Sequence, residues 1–218
     1  MAKYTRTLKI SSKDLGQAAT LVLTFDKFDD TIKGLYDTAF PLVWKATEFG
    51  AQGWYNIEET YSNQLAFIKP GVEDGKFTYA TTFVPINMNQ KTTFCKKGGH
   101  YEFTKPAAIE GAHDVPPKVV NESGSAESIA LGFMSAEKPD DSIPVLLRKN
   151  VGHGSSFSAQ FTPVLRVYIA SEYRQGQTLK TPIGTPIWEK DLSGLEEETT
   201  WNLKYTEESG VYTIIQAD

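Results

Sequence analysis

Apolar and polar positions alternate through most of the chain, in short runs broken by Gly, Pro, Asn, Asp and Ser. The runs of the first half are TRTLKIS, ATLVLTF, FPLVWKATEF, WYNIEETY, QLAFIK and KFTYATTFV. TTFCKK, HYEFT, SIALGFM, IPVLLRK, SSFSAQFT, VLRVYIASEY, TPIWEKDL, TWNLKY and GVYTIIQA follow. A two-residue period rich in Val, Ile, Thr and aromatic residues is that of half-buried strands. Many such strands, closely spaced and separated by turn residues, predict an antiparallel β-sandwich. Helical periodicity is scarce. DDTIKGLYDTAF, over 29–40, places Ile32, Leu35 and Tyr36 on one face, although Gly34 weakens it. SSKDLGQAA, over 11–19, is a second short candidate.

The expected fold class is therefore all-β: one antiparallel sandwich domain over 1–218, with long loops and at most one or two short helices. The least regular stretch, over 105–128, carries prolines and glycines between flanks with the same strand pattern. It reads as a long surface loop or crossover inside one domain.

Alternation also assigns faces. In FPLVWKATEF, Phe40, Leu42, Trp44 and Ala46 share one side, with Val43, Lys45 and Thr47 opposite, so Trp44 is expected in the core. The corner FGAQG that follows reads as a hairpin connection, its glycines supplying positive φ. Beyond it, Tyr55, Ile57, Glu59 and Tyr61 face one way, and Trp54, Asn56, Glu58 and Thr60 the other. Apart from its tryptophan that second face is polar, so Trp54 stands in water or against a ligand. Trp188 after TPIGTP, Trp201 in ETTWNLKY and Tyr101 after the GGH turn are further rings beside turns. In VLRVYIASEY, Leu165, Val167 and Ile169 oppose Arg166, Tyr168 and Ala170.

Composition narrows the function classes. At 218 residues the chain is long enough to bury a core without a disulfide or a structural metal. Its net charge of −5 argues against a nucleic-acid partner, since neutralising phosphates needs a lysine and arginine excess. The lone cysteine, Cys95, forms no internal disulfide. The N-terminal MAKYTRTLKISSKD has no apolar h-region, and no apolar run approaches a membrane helix, so a cytoplasmic location is expected. The Asn121-Glu122-Ser123 sequon reads as chance in that setting.

No catalytic constellation is visible. His100, His113 and His153 are not in metal-ligand spacing, and with one cysteine little remains to build a zinc site. The nucleophile elbow GxSxG is absent. VGHGSS could cradle an anion but leads into a strand rather than a helix, and reads as a tight turn. Adjacent carboxylates such as Asp140-Asp141 point to opposite faces of a strand. A weak cation site from Asp26, Asp29 and Asp30 is conceivable, with the solvated surface favoured. The aromatics carry the functional expectation: Trp54 and Tyr55 first, then Tyr101 and Trp188, as the rings that bind a small flat apolar molecule.

The segment FPLVWKATEFGAQGWYNIEETYSNQLAFIKPGV resembles fungal fruiting-body proteins, in particular the pink chromoproteins of oyster mushrooms. The resemblance implies a non-enzymatic binder holding an indolone-type chromophore; the residues themselves predict no metal site. A looser likeness is to the sandwiches of fungal lectins and actinoporin-like toxins, which implies a glycan or membrane partner as the alternative. The strand-like MAKYTRTLKISSKD departs from the amphipathic N-terminal helix of the toxins. Open edge strands favour pairing into a two-fold dimer.

Overall fold

The computed structural model describes residues 3–27, 35–74, 76–138 and 140–217. In chain order the strands are β1 (Thr5–Lys13), β2 (Ala19–Thr24), β3 (Ala39–Pro41), β4 (Val43–Phe49), β5 (Trp54–Ser62) and β6 (Leu65–Glu73). Then come β7 (Lys76–Pro85), β8 (Gln90–Lys97), β9 (His100–Phe103), β10 (Ala107–Ala108), β11 (Lys118–Glu122) and β12 (Glu127–Met134). The series closes with β13 (Ser142–Val151), β14 (Ser156–Ser158), β15 (Val164–Ile169), β16 (Trp188–Asp191), β17 (Glu198–Thr206) and β18 (Val211–Gln216). The one helical turn among the described residues is a 3-10 turn, Leu192–Gly194.

These strands form four sheets: β18-β17-β1-β5, β16-β15-β2-β4, β3-β13-β12-β6-β7, and β10-β8-β11-β14 with β9 beside β8. Pairing is antiparallel except for β1 with β17 and β11 with β8. The first two sheets face each other over one core. Leu8, Ile10, Ile57, Trp201 and Leu203 come from one side, and Leu21, Leu23, Trp44, Leu165 and Trp188 from the other. The third and fourth sheets enclose a second core around Phe67, Leu131 and Leu146 against Phe94, Val119 and Phe157. The architecture is all-β, as the alternation predicts, with its four sheets packed in two facing pairs over adjoining cores. Their cores meet where Phe133 and Val145 of the third sheet reach into the first core and Phe161 packs against both. The first and last strands, β1 and β18, belong to the first sandwich, and the second is built mainly from strands between them.

Trp44 is buried as its strand face requires, with its ring 5.2 Å from Phe25 and 5.9 Å from Phe133. Val43 on the opposite face is buried too, because residues such as Tyr173, Leu179 and Ile183 cover that side of the second sheet. The turn over 152–155 is tight, as VGHGSS suggests, and closes with Ser155 N–H donating to Gly152 O at 3.0 Å.

Three expectations are corrected. FGAQG is not a hairpin: β4 pairs with β2 and β5 with β1, so the corner carries the chain from one sheet to the sheet facing it. An ion pair between Lys45 and Glu59, 3.0 Å, spans the two strands it joins. The stretch over 105–128 is not one long loop, since it holds β10 and β11, and β11 lies parallel to β8 as the crossover alternative would bring it. β11 is an inner strand of its sheet, with Val119 and Asn121 fully buried. The Asn121 amide donates to Ser125 O and Val151 O, so the sequon is closed to modification in the folded chain. SSKDLGQAA is strand end and turn rather than helix. Asp14 and Gly16 adopt positive φ, and the Asp14 carboxylate accepts from Gly53 N–H at 2.9 Å. For the other helix candidate, 29–34 lie outside the described residues; 35–40 hold an isolated bridge, a turn and the start of β3.

Candidate functional site

Where the two sandwiches meet, the chain crosses at the β5–β6 corner and returns through the segment between β14 and β15. Between these crossings lies a cleft of about 570 Å³. That size is within the usual range for small-molecule sites. Three rings line it: Tyr4, Tyr61 and Phe161. Tyr61 ends the apolar face of β5 and wedges against Phe133 at 5.0 Å and Phe25 at 5.8 Å, which fixes its plane. Tyr4 meets it edge-on at 6.2 Å, and Phe161 lies 6.2 Å away on another side. Tyr4 is held through its backbone, its N–H donating to Asn63 Oδ1 at 2.9 Å and its carbonyl accepting from Asn63 N–H at 3.2 Å.

Leu65, Ile86 and Met88 extend the apolar lining. Ile86 N–H donates to Leu65 O, tying the β7–β8 loop to the second crossing strand. The rim is polar, with Gln64, Asn87, Asn89 and the carboxylates Asp114 and Asp191. Two of these groups also brace their own loops: Asn89 Oδ1 accepts from Val115 N–H, and Asp191 Oδ1 from the N–H and hydroxyl of Ser193.

Burial pushes the Tyr61 hydroxyl far above the usual tyrosine range, with Tyr4 and the Asp191 carboxylate adding to it. Tyr4 is raised by burial as well, against the pull of the Arg6 guanidinium above its ring. Both are neutral phenols at physiological pH. As neutral phenols they both donate and accept, and they hydrogen-bond to each other. Apolar rings with a few polar groups at the mouth can orient a flat molecule.

The four rings picked from the sequence do not line this cleft, nor do they meet each other. Trp54, at the start of β5, is 71% exposed, with Lys13 Nζ 5.9 Å from its ring. Tyr55 points the other way, its ring 6.1 Å from Phe49, into a shallow groove with Gln17, Thr20 and Tyr212. The hydroxyl end of the Tyr55 ring lies against Gly50, where a Cβ would push the ring aside. Tyr101, on β9 in the fourth sheet, stacks on Phe94 at 5.3 Å and donates its hydroxyl to Glu127 at 2.7 Å. Trp188 is buried in the first core, edge-on to Trp201 at 5.0 Å.

The rings that do gather were missed because each comes from a different segment. Only Tyr61 carried a sequence cue, as a tyrosine closing an apolar strand face beside a polar Ser-Asn-Gln turn. Such a ring needs its hydroxyl near a wet edge. Asp26, the described member of the acidic trio, is buried and bonded to Thr24 and Tyr168; Asp29 and Asp30 lie outside the described residues. No group of three or more His, Cys, Asp or Glu among the described residues could hold a metal. No helix among them is long and apolar enough to cross a membrane. The chain matches no family model, no curated protein and no solved structure.

Proposed function

We propose that this chain is a binding protein, without catalysis, for one small flat aromatic molecule of the indolone class, held in the cleft between the two sandwiches. The observation that carries the reading is the cleft itself, with Tyr4, Tyr61 and Phe161 around an apolar floor and amides at the rim. Burying about 200 Å² of apolar ligand surface gains about 5 kcal/mol before the cost of lost motion. Fixed rings lower that cost, because Tyr61 loses no further freedom on binding.

Isatin serves as the probe. Native mass spectrometry and a fluorescence titration are expected to give one isatin per chain, with Phe161→Leu weakening it about tenfold. Unchanged affinity in Phe161→Leu, together with loss in Trp54→Ala, would move the site to the exposed tryptophan.

That second reading has its own observation. The outer face of the first sheet aligns the highly exposed Trp54 with Asn56, Lys13, Ser11 and Asn202. A free indole among amides and hydroxyls suits stacking on a sugar. Haemagglutination by the purified protein, abolished by Trp54→Ala, favours it; a blank result on a glycan array removes it.

A further inference from the structure

A second cleft, of about 590 Å³, shares Lys3, Tyr4 and Gln64 with the ring-lined one, and Arg6, Lys3, Gln64 and two serines bring donors to its wall. Arg6 enters it from β1. The guanidinium lies 4.5 Å over the Tyr4 ring, and its one hydrogen bond among the described residues runs from Nη1 to Thr5 O at 2.9 Å. Its Nε is buried without a partner, and no carboxylate among the described residues lies within ion-pair distance of it. Leaving that one N–H buried and unsatisfied is costly, while the guanidinium as a whole is only half-buried.

The surroundings repeat the imbalance. Ser62 Oγ accepts from Gln64 N–H and Ser135 Oγ from Lys138 N–H, which leaves both hydroxyl protons to donate. Lys3 and the Gln64 side chain add further donors, and Glu197 is the one carboxylate on the wall. Pro85, Met134 and Ala136 make an apolar strip beside these groups.

We propose that this cleft is a binding site for a small organic oxyanion, a carboxylate or a phosphate ester. Its charged end lies on Arg6 and Lys3, and its carbon part on Pro85 and Met134. A guanidinium offers two parallel N–H groups to two oxygens, so an oxyanion is favoured over chloride. The cleft shares Lys3, Tyr4 and Gln64 with the ring-lined one, but an anion held on Arg6 needs neither Phe161 nor a flat ligand.

The test is a titration of ¹⁵N-labelled protein, following the Arg6 Nε–Hε cross-peak and the amides of Ser62 and Ser135. Benzoate and inorganic phosphate are the probes, with chloride at matched ionic strength as control. Saturable shifts with either oxyanion and not with chloride are expected, and the stronger binder tells carboxylate from phosphate. Affinity should fall at least tenfold in Arg6→Gln, less in Arg6→Lys, and severalfold in the exposed-site variant Lys3→Gln, which spares the strand. Glu197→Gln should tighten binding by removing the competing charge. Shifts no larger than those from chloride, or an Arg6 cross-peak that moves in Glu197→Gln and ignores both oxyanions, would overturn the proposal.

Discussion

Gly132 shows how far a single position constrains this fold. A Cβ there would run into the backbone carbonyl of Ile143 on β13, at the irregularity where β12 and β13 slip register. A backbone atom cannot swing aside as a side chain can, so Gly132→Ala should cost about 3 kcal/mol, read as a lowered midpoint in urea. Asp26 is a second such residue, buried and accepting from Thr24 at 2.7 Å and Tyr168 at 2.8 Å. Asp26→Ala strands both hydroxyls and should cost about 2 kcal/mol by the same measurement. Trp54→Ala, by contrast, removes an exposed ring and should change stability by less than about 0.5 kcal/mol. Residue faces were the most legible feature of the sequence. Alternation put Trp44 inside and Trp54 outside, because the two-residue period depends only on neighbours along one strand. It could not tell that Trp188 and Tyr101 spend their rings on Trp201 and Phe94, which are contacts between strands.

Strands were legible as elements, while their partners were not. The corner FGAQG has the local chemistry of a hairpin, and only pairing far along the chain decides otherwise. β5 runs beside β1 through nine successive residue pairs, from Thr5 with Ser62 to Lys13 with Trp54. β11 was hidden for a related reason. Two prolines precede it and Asn121 sits within it, a polar residue made tolerable inside only by the carbonyls of Ser125 and Val151.

Between elements of the second sandwich, Glu127 at the start of β12 gathers Lys69 of β6 at 2.8 Å, the Tyr101 hydroxyl of β9 at 2.7 Å and Ser125 at 2.8 Å. Burial alone would raise its carboxyl, but the hydrogen bonds from Lys69, Tyr101 and Ser125 together hold it below the usual glutamate range. A depressed carboxyl contributes stability above its unfolded value and loses it as pH falls through the folded one. Glu127→Gln should therefore cost about 2 kcal/mol at neutral pH. That difference should shrink through the acid range below the usual glutamate value, as followed by urea denaturation at a series of pH values.

At the scale of the whole molecule, the junction of the two sandwiches holds the two clefts that share Tyr4. A composition with 12% aromatic residues says that rings are plentiful, and nothing in it says which will face a seam. Tyr4, Tyr61 and Phe161 lie in three separate segments and meet only because two chain crossings coincide there. The proposed binding is accordingly a property of the junction more than of any one sheet. The most direct test is a chemical-shift map of the ¹⁵N-labelled protein titrated with isatin. The account predicts saturable shifts clustered at Tyr4, Leu65, Ile86 and Phe161, with Trp54 and Tyr101 unmoved. Shifts centred on Trp54, or none at saturating isatin, would contradict it.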